Sequence, residues 1–268
     1  MKKIKVVPIA LIIIVLLLVA GIASGLRVDG AILEKEVSRG EHLSHIMLVS
    51  TSASDAPTDI QIDVLGYGQS LSGINTVLNP TEDISPYSVR PSLKVSSDKL
   101  HLAPGENKEV TLEGDIPVES SGGKYALIYV HTAPQGNGTV GVATAIIVPV
   151  RLTINGSEIR HTGEIQNFTL IDPVSAKEQN ISFIFKNTGN HHYRIQSDVV
   201  VTDKDGNIVA NATKPNPGAP IIPEASRLIK FNIKPQSPLK SGDYSANVTV
   251  KEENGSLLAT KETKFKLS

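Results

Sequence analysis

The sequence contains no cysteine and no tryptophan in 268 residues, and its other aromatic side chains are six tyrosines and five phenylalanines. Without cysteine the chain cannot form a disulfide, use a thiolate nucleophile, hold a Cys-ligated zinc ion or carry a lipid-modified cysteine. So few aromatic rings also count against a platform that stacks sugars or nucleic-acid bases.

Charge of either sign is not in excess, because 26 basic and 27 acidic residues give a formal net charge of −1. A chain without a strongly basic field is not expected to bind nucleic acid. Its length allows two domains of ordinary size, each able to bury a core of its own.

The N-terminus carries the one long hydrophobic run, from Val6 to Ala23, which follows three lysines. This run lies near the lower length limit for spanning a bilayer and is long for the core of a signal peptide. A signal peptide cleaved after Ala23 and an uncleaved N-terminal anchor both stay open. In either case the sequence predicts export, with residues 1–26 as a helical signal or membrane anchor and the remainder at the cell surface or secreted.

The exported part shows strand periodicity and no useful helical periodicity. Ile60–Leu65 and Tyr244–Val250 alternate apolar and polar residues, and Pro/Gly-rich turns separate runs of this kind. We therefore predict an all-β protein made of two tandem immunoglobulin-like β-sandwiches, at residues 27–157 and 158–268. Gly66–Tyr87, rich in Gly, Ser, Asn and Pro, is predicted to be the longest irregular segment.

An internal repeat links the two halves. Ser121-Gly-Gly-Lys-Tyr125 corresponds to Ser241-Gly-Asp-Tyr244, and each delivers a tyrosine to the start of a strand. A tyrosine at this place is typical of the tyrosine corner, whose hydroxyl bonds to upstream backbone. On this analogy Tyr125, Leu127 and Tyr129 should face the core of the first sandwich.

The opposite face of the same strand is apolar too, and so is the run that follows it, where Pro149 indicates a bulge or an edge position. A sheet that is apolar on both faces must be covered by something. The cover could be the second domain, the Gly66–Tyr87 segment or a partner protein, and we expect it to come from the same chain. The candidate interface consists of Ala126, Ile128, Val130, Ala145 and Ile147.

Two stretches carry a family resemblance. Asn180-Ile-Ser-Phe-Ile-Phe-Lys-Asn-Thr-Gly-Asn190, followed by Asp203-Lys-Asp-Gly206, resembles exported immunoglobulin-like modules of the adhesion-associated bacterial and archaeal type. The first domain, with Gly123-Lys-Tyr-Ala-Leu-Ile-Tyr129, is similar to the N-terminal module of cell-wall WxL-interacting proteins. The resemblance implies a sandwich fold and a protein or cell-envelope component as partner. That family carries a C-terminal membrane helix, whereas here the hydrophobic run is N-terminal.

Seven asparagines satisfy the N-x-S/T acceptor rule for N-glycosylation. The alternation of the strand from Tyr244 places Asn247 on the polar, outward face. We expect several of these sites to be glycosylated where the host couples export to glycosylation. The candidates are Asn137, Asn155, Asn167, Asn180, Asn211, Asn247 and Asn254.

No catalytic, cofactor or metal motif stands out in the sequence. Asp203–Asn207 lacks the spacing and distal glutamate of an EF-hand, and its Asp-Gly pair predicts a tight hairpin turn. His191 and His192 are predicted to be solvated or strand-capping residues, because no third ligand follows at a suitable spacing. We therefore predict no enzyme, no cofactor, no metal and no small-molecule substrate.

Two functional hypotheses remain. The first is a structural, adhesive or envelope-interacting surface protein that presents two rigid sandwiches. The second is a periplasmic-type chaperone or assembly factor that binds a surface subunit by edge-strand pairing. An unpaired edge strand would favour the second hypothesis.

Overall fold

The computed structural model describes residues 25–133, 143–171, 176–215 and 218–267, which form 17 β-strands and one short 3-10 turn at Arg90–Ser92. The all-β prediction is confirmed. The expected N-terminal hydrophobic helix lies outside the described residues. Within the ranges above, the structure contains no helix with the length and hydrophobicity needed to cross a membrane.

The first ten strands build a sandwich of two sheets. One sheet has the order β1-β3-β8-β6, and the other has the order β2-β10-β9-β4-β5, with β7 also paired to β4. The strands are β1 (Arg27–Asp29), β2 (Leu33–Val37), β3 (His42–Ser50), β4 (Thr58–Gln69), β5 (Asn75–Leu78), β6 (Lys94–Val95), β7 (Lys99–Leu102), β8 (Asn107–Asp115), β9 (Gly123–Thr132) and β10 (Ala145–Ile154).

The remaining seven strands build a second sandwich. Its sheets have the orders β11-β12-β15 and β14-β13-β16-β17. The strands are β11 (Gly163–Leu170), β12 (Gln179–Asn187), β13 (Ile195–Asp203), β14 (Ile208–Pro215), β15 (Ser226–Ile233), β16 (Gly242–Glu252) and β17 (Leu257–Leu267). The boundary between domains 27–157 and 158–268 stays a prediction.

Alternating apolar residues fill each core. In the second sandwich Phe183 and Phe185 of β12 and Val248 of β16 are fully buried. In the first sandwich Ile128 of β9 and Val148 of β10 are likewise fully buried. Each such side chain contributes roughly 1.5–3 kcal/mol through the removal of its apolar surface from water. The two cores therefore stabilise two separate sheet pairs.

The chain changes sheets between β1 and β2. β1 pairs with β3, whereas β2 pairs in parallel with β10 in the facing sheet. Gly30 makes the turn with φ +77°, and a Cβ at this position would lie 2.9 Å from the carbonyl oxygen of Ile46. Because Gly30–Ile32 form the crossing between the sheets, β2 begins at Leu33 and pairs only with the second half of β10, Val150–Ile154.

The structure corrects the prediction that Gly66–Tyr87 is irregular throughout. β4 continues through Gln69 and forms an antiparallel pair with β5, in which Gly66 lies opposite Leu78 and Gln69 opposite Asn75. The sequence does not predict this part of β4, because glycine, here Gly66 and Gly68, has low strand propensity. Both glycines are required by close packing, since a Cβ would lie 2.5 Å from Asp83 at Gly66 and 2.7 Å from Thr76 at Gly68.

Candidate functional site

The outer face of β9 packs against the second sandwich. Tyr125 and Leu127 are buried in a small apolar cluster with Tyr67 of β4 and Ile222. Ile222 lies in the connection between β14 and β15. The edge of this cluster includes residues from the β4–β5 region and from the second sandwich, so the expected cover comes from the same chain.

The structure reverses the two faces of β9. Ala126, Ile128 and Val130 have no exposed surface and lie inside the first sandwich, so they cannot form an interface with a partner. Ile147 is half-buried at the rim of the outer cluster, and Ala145 is exposed. Of the five candidate interface residues, only these two lie on the outer face.

A one-residue shift in the repeat explains the reversal. Ser121-Gly122 and Ser241-Gly242 align without a gap when Lys124, rather than Tyr125, takes the place of Tyr244. Because side chains alternate with a period of two, a slip of one residue moves every side chain to the other face. The same alignment correctly pairs the core residue Ala126 with Ala246.

Among the described residues, the tyrosine corner is present in the second sandwich and absent at Tyr125. The Tyr244 hydroxyl donates to the carbonyl oxygen of Lys240 at 2.8 Å, and its ring is buried in that core. The Tyr125 hydroxyl instead lies 3.1 Å from Nδ1 of His192 in the second sandwich. The prediction for Tyr125 was therefore wrong, while that for Tyr244 is confirmed.

Glu34 of β2 joins both sandwiches. Its Oε2 accepts hydrogen bonds from Nε and Nη2 of Arg151 at 3.1 and 2.7 Å, and its Oε1 lies 3.1 Å from Nε2 of His192. Burial acts to raise the pKa of Glu34, but the bonds from Arg151 and His192 outweigh it and hold the pKa below its ordinary value. Burial lowers the pKa of His192 despite the bond to Glu34.

Three histidine rings stack beside this carboxylate. The ring of His191 lies 4.2 Å from that of His192 and 5.3 Å from that of His161. His191 Nε2 is 2.8 Å from Oγ1 of Thr153 on β10, and its Nδ1 is 3.1 Å from Nε2 of His161. Burial, followed by the charges of its two histidine neighbours, lowers the pKa of His191 to about 4.

The prediction that His191 and His192 are solvated or strand-capping is therefore wrong. Their partners Thr153 and Glu34 lie 38 and 158 residues away in the sequence. A local pattern cannot reveal contacts of this separation. The chain offered one weak signal, which is that both histidines directly precede Tyr193 at the start of a strand-like run.

Backbone groups also hold the two sandwiches together. The amide of Gly123 donates to the carbonyl oxygen of Asn190 at 2.8 Å, and the amide of Leu228 donates to that of Leu71 at 2.8 Å. Gln69 donates from Nε2 to the carbonyl oxygen of Pro220 at 2.9 Å. The first bond joins β9 to the second sandwich, and the other two hold the β4–β5 hairpin against it.

The first half of β10 forms a free strand edge. β2 pairs with β10 from Val150 to Ile154, and β9 pairs with it on the other side from Ala145 to Thr153. Among the described residues, no strand pairs with Ala145–Pro149 on the side away from β9. Ala145 is exposed, and Ile146 and Ile147 are half-buried.

The hydrogen-bonding groups of this edge point outward at alternate residues. The amide of Thr132 donates to the carbonyl oxygen of Thr144, so even-numbered residues of β10 face β9 in the antiparallel ladder. Ala145 and Ile147 then direct their N–H and C=O groups to the free edge. Pro149 occupies the next outward position, where a missing N–H breaks no bond. The predicted edge position of Pro149 is confirmed.

Most of the predicted glycosylation sites lie on the surface. Asn155, Asn167, Asn211, Asn247 and Asn254 are exposed, and Asn180 is half-buried. Asn167 has φ +47° in an irregularity of β11. Asn137 lies outside the described residues. Whether any of them carries a glycan stays a prediction.

The Asp203–Asn207 segment is a tight turn, as predicted. Oδ1 of Asp203 accepts hydrogen bonds from the amides of Asp205 and Asn207, both at 2.9 Å, and Gly206 has φ +83°. In the part of the chain that the structure describes, no group of three or more His, Asp or Glu side chains could hold a metal ion.

Comparison with known proteins gives only distant structural likeness. No family model and no curated protein sequence match the chain. Similar solved structures include a chaperone–tip adhesin complex of CFA/I fimbriae biogenesis (16% identity, 90% of this chain, 98% of that chain, TM-score 0.44). Another is the class 5 fimbriae chaperone CfaA (16% identity, 91% of this chain, 99% of that chain, TM-score 0.42). A third is the E. coli chaperone DraB (13% identity, 91% of this chain, 98% of that chain, TM-score 0.41). These values are too low for the likeness to assign a function.

Proposed function

We propose that this chain is an exported, non-enzymatic protein that binds a surface subunit by pairing the free edge of β10 with a strand of that subunit. It would act as a periplasmic-type chaperone or assembly factor. The observation that carries the proposal is the unpaired stretch Ala145–Pro149, which ends where β2 begins to pair. An open row of backbone donors and acceptors is a ready template for strand addition.

The side chains of the edge suit a strand partner. Ile146 and Val148 point into the core of the first sandwich, and Ile146 lies at its rim, where it is only partly buried. A strand added beside them would bury more of this rim, and its apolar side chains would gain roughly 25 cal/mol for each Å² removed from water. Both backbone pairing and apolar burial then contribute to binding.

The rest of the chain supports a rigid carrier of this edge. Arg151 and Thr153, in the second half of β10, are bonded to Glu34 and His191, so the strand is anchored to both sandwiches. Binding to an edge held in place costs less conformational entropy than binding to a mobile one. Sequence resemblance to WxL-interacting modules suggests that the bound subunit belongs to the cell envelope.

The structural or adhesive surface role remains the second candidate. Exposure of five of the predicted glycosylation sites is compatible with it, because a displayed protein presents such sites to solvent. This role does not require the β10 edge. A variant that cannot pair along β10 should therefore lose the chaperone function and keep the surface role.

The decisive test compares two substitutions at the same position. Ala145→Pro removes the outward N–H of the edge, whereas Ala145→Ser keeps it, and neither touches the bonds to β9. We expect the serine variant, and not the proline variant, to co-purify with a surface subunit after crosslinking in native membranes. The amides of Ala145 and Ile147 should also exchange more slowly with deuterium in the captured complex. Capture by the proline variant, or unchanged exchange at both amides, would contradict the proposal.

A further inference from the structure

Three histidines lie at the place where the sandwiches meet. His161 precedes β11, and His191 and His192 precede β13, while Thr153 of β10 approaches them from the first sandwich. The side chains of His161 and His192 are 26% and 7% exposed. In the proposed strand pairing, His191 only anchors Thr153 of β10, and the free edge lies in the other half of that strand.

The charged groups around the stack are unevenly placed. Oε1 of Glu252 lies 3.0 Å from Nδ1 of His161, and Oε1 of Glu34 lies 3.1 Å from Nε2 of His192. The ring nitrogens of His191, between them, face Thr153 and His161, and its carbonyl oxygen accepts from Nδ2 of Asn187 at 2.9 Å. The titratable and charged groups that face the stack from the surrounding elements are Glu34, Tyr125, Arg151, Tyr193 and Glu252.

In the contact between His161 and His191, only one of the two facing ring nitrogens can carry a hydrogen. Nε2 of His161 and Nδ1 of His191 are 3.1 Å apart, so one nitrogen must donate and the other must accept. An imidazolium ion at His191 places a positive charge between two other histidine rings. The nearby carboxylates of Glu34 and Glu252 bond to His192 and His161 instead.

We propose that the junction between the sandwiches is an acid-sensitive contact, which opens when His191 takes up a proton beside His161. Opening releases the stack to water, where the imidazolium ion is hydrated. The bonds that hold the same face, including Gly123 to Asn190 and Tyr125 to His192, are then lost together. The sandwiches themselves keep their cores, because neither core contains these histidines.

The direction of the pH dependence follows from proton linkage. Burial and the neighbouring histidines lower the pKa of His191 to about 4 in the closed junction, against an ordinary value of 6.5. The open junction therefore binds more protons in this range, and acid favours it. The contribution of His191 to closure is complete above about pH 6.5 and is lost progressively as the pH falls toward about 4.

The test follows the junction directly. Hydrogen exchange at the Gly123 amide, corrected for the intrinsic pH effect, should report an opening equilibrium that rises roughly a hundredfold between pH 7 and about pH 4. In His191→Gln most of this rise should disappear, while His42→Gln, which alters an exposed histidine bonded to Asp115, should keep it.

The whole-protein readouts complete the experiment. Small-angle scattering should show a larger radius of gyration at about pH 4, while circular dichroism still reports intact sheets. Carbon-13 NMR of the wild-type histidines should show the rings of His191 and His192 titrating below 6.5. A wild-type Gly123 amide whose corrected exchange does not change with pH would overturn the proposal. So would an equal acid response in a folded His191→Gln protein.

Discussion

The hydroxyl oxygen of Tyr125 lies 3.1 Å from Nδ1 of His192, and their rings meet edge-on at 5.7 Å. The carboxylate of Glu34 only accepts, so a neutral His192 carries its hydrogen on Nε2, which faces Glu34 at 3.1 Å. Nδ1 of His192 then accepts from the Tyr125 hydroxyl. This chain of bonds therefore fixes the tautomer of His192.

Replacing Tyr125 with phenylalanine should weaken this chain without changing the apolar packing. We expect the free energy of unfolding to fall by about 1–2 kcal/mol, because His192 Nδ1 is left without its donor. Urea unfolding at pH 7 measures the loss. Tyr244→Phe is the matched control, since it removes a bond inside one sandwich. Exchange of the Gly123 amide should accelerate in Tyr125→Phe and stay unchanged in Tyr244→Phe.

Glu34→Gln tests the carboxylate that Arg151 and His192 share. A neutral amide leaves the 6%-exposed Arg151 without its charged partner, so we expect a loss of about 1–3 kcal/mol in the free energy of unfolding. Glu36→Gln, at an exposed position of the same strand, should change it by less than about 0.5 kcal/mol. Equal stabilities of the two variants would show that the Glu34 bonds contribute little.

The β4–β5 hairpin can be tested at its tip. Gly73 has φ +86°, and a Cβ there would lie 2.3 Å from Cζ of Arg227, whereas Gly206 has φ +83° and open space around it. Gly73→Ala should therefore cost more than the roughly 1 kcal/mol of backbone strain that we expect for Gly206→Ala. Thermal unfolding of both variants measures the difference. Similar melting temperatures would mean that Arg227 moves aside freely.

The position of Ile128 gives a test of the corrected face of β9. Ile128→Asp places a carboxylate in the core of the first sandwich, so we expect this variant to be unfolded or recovered only as aggregate. Ile208→Asp, at a position that is 66% exposed in the second sandwich, should fold normally. A folded, soluble Ile128→Asp protein would contradict the assignment of Ile128 to the core.

The sequence predicts the elements that depend on local patterns. Alternation in Tyr244–Val250 predicts a strand with Asn247 facing water, and the Asp-Gly pair at Asp205 predicts a tight turn. Both are confirmed, because period-two patterns and turn residues act over a few neighbours.

The junction could not be predicted in this way. Its bonds join residues such as Glu34 and His192, which are far apart in the chain, and the sequence does not show which sheets meet. The prediction of which face of β9 is buried in the core was wrong for a different reason. Tyr125 and Tyr244 look equivalent in the repeat until the one-residue offset between them is taken into account. A candidate edge at Pro149 was predicted, but the free stretch beside it depends on where β2 begins to pair with β10.

The predicted glycosylation can be tested at Asn247, which is exposed in the middle of β16. Thr249→Ala destroys the N-x-S/T acceptor, whereas Thr249→Ser keeps it, and Thr249 is itself only half-buried on the outward face. In protein purified from its native host we expect intact-mass spectrometry to show added mass, with one glycan fewer in Thr249→Ala than in Thr249→Ser. Asn180, whose Oδ1 accepts a bond from Asn232, should be modified less completely, because the transferase must reach its side chain. A native protein whose mass equals that of its polypeptide would remove the prediction for all seven sites.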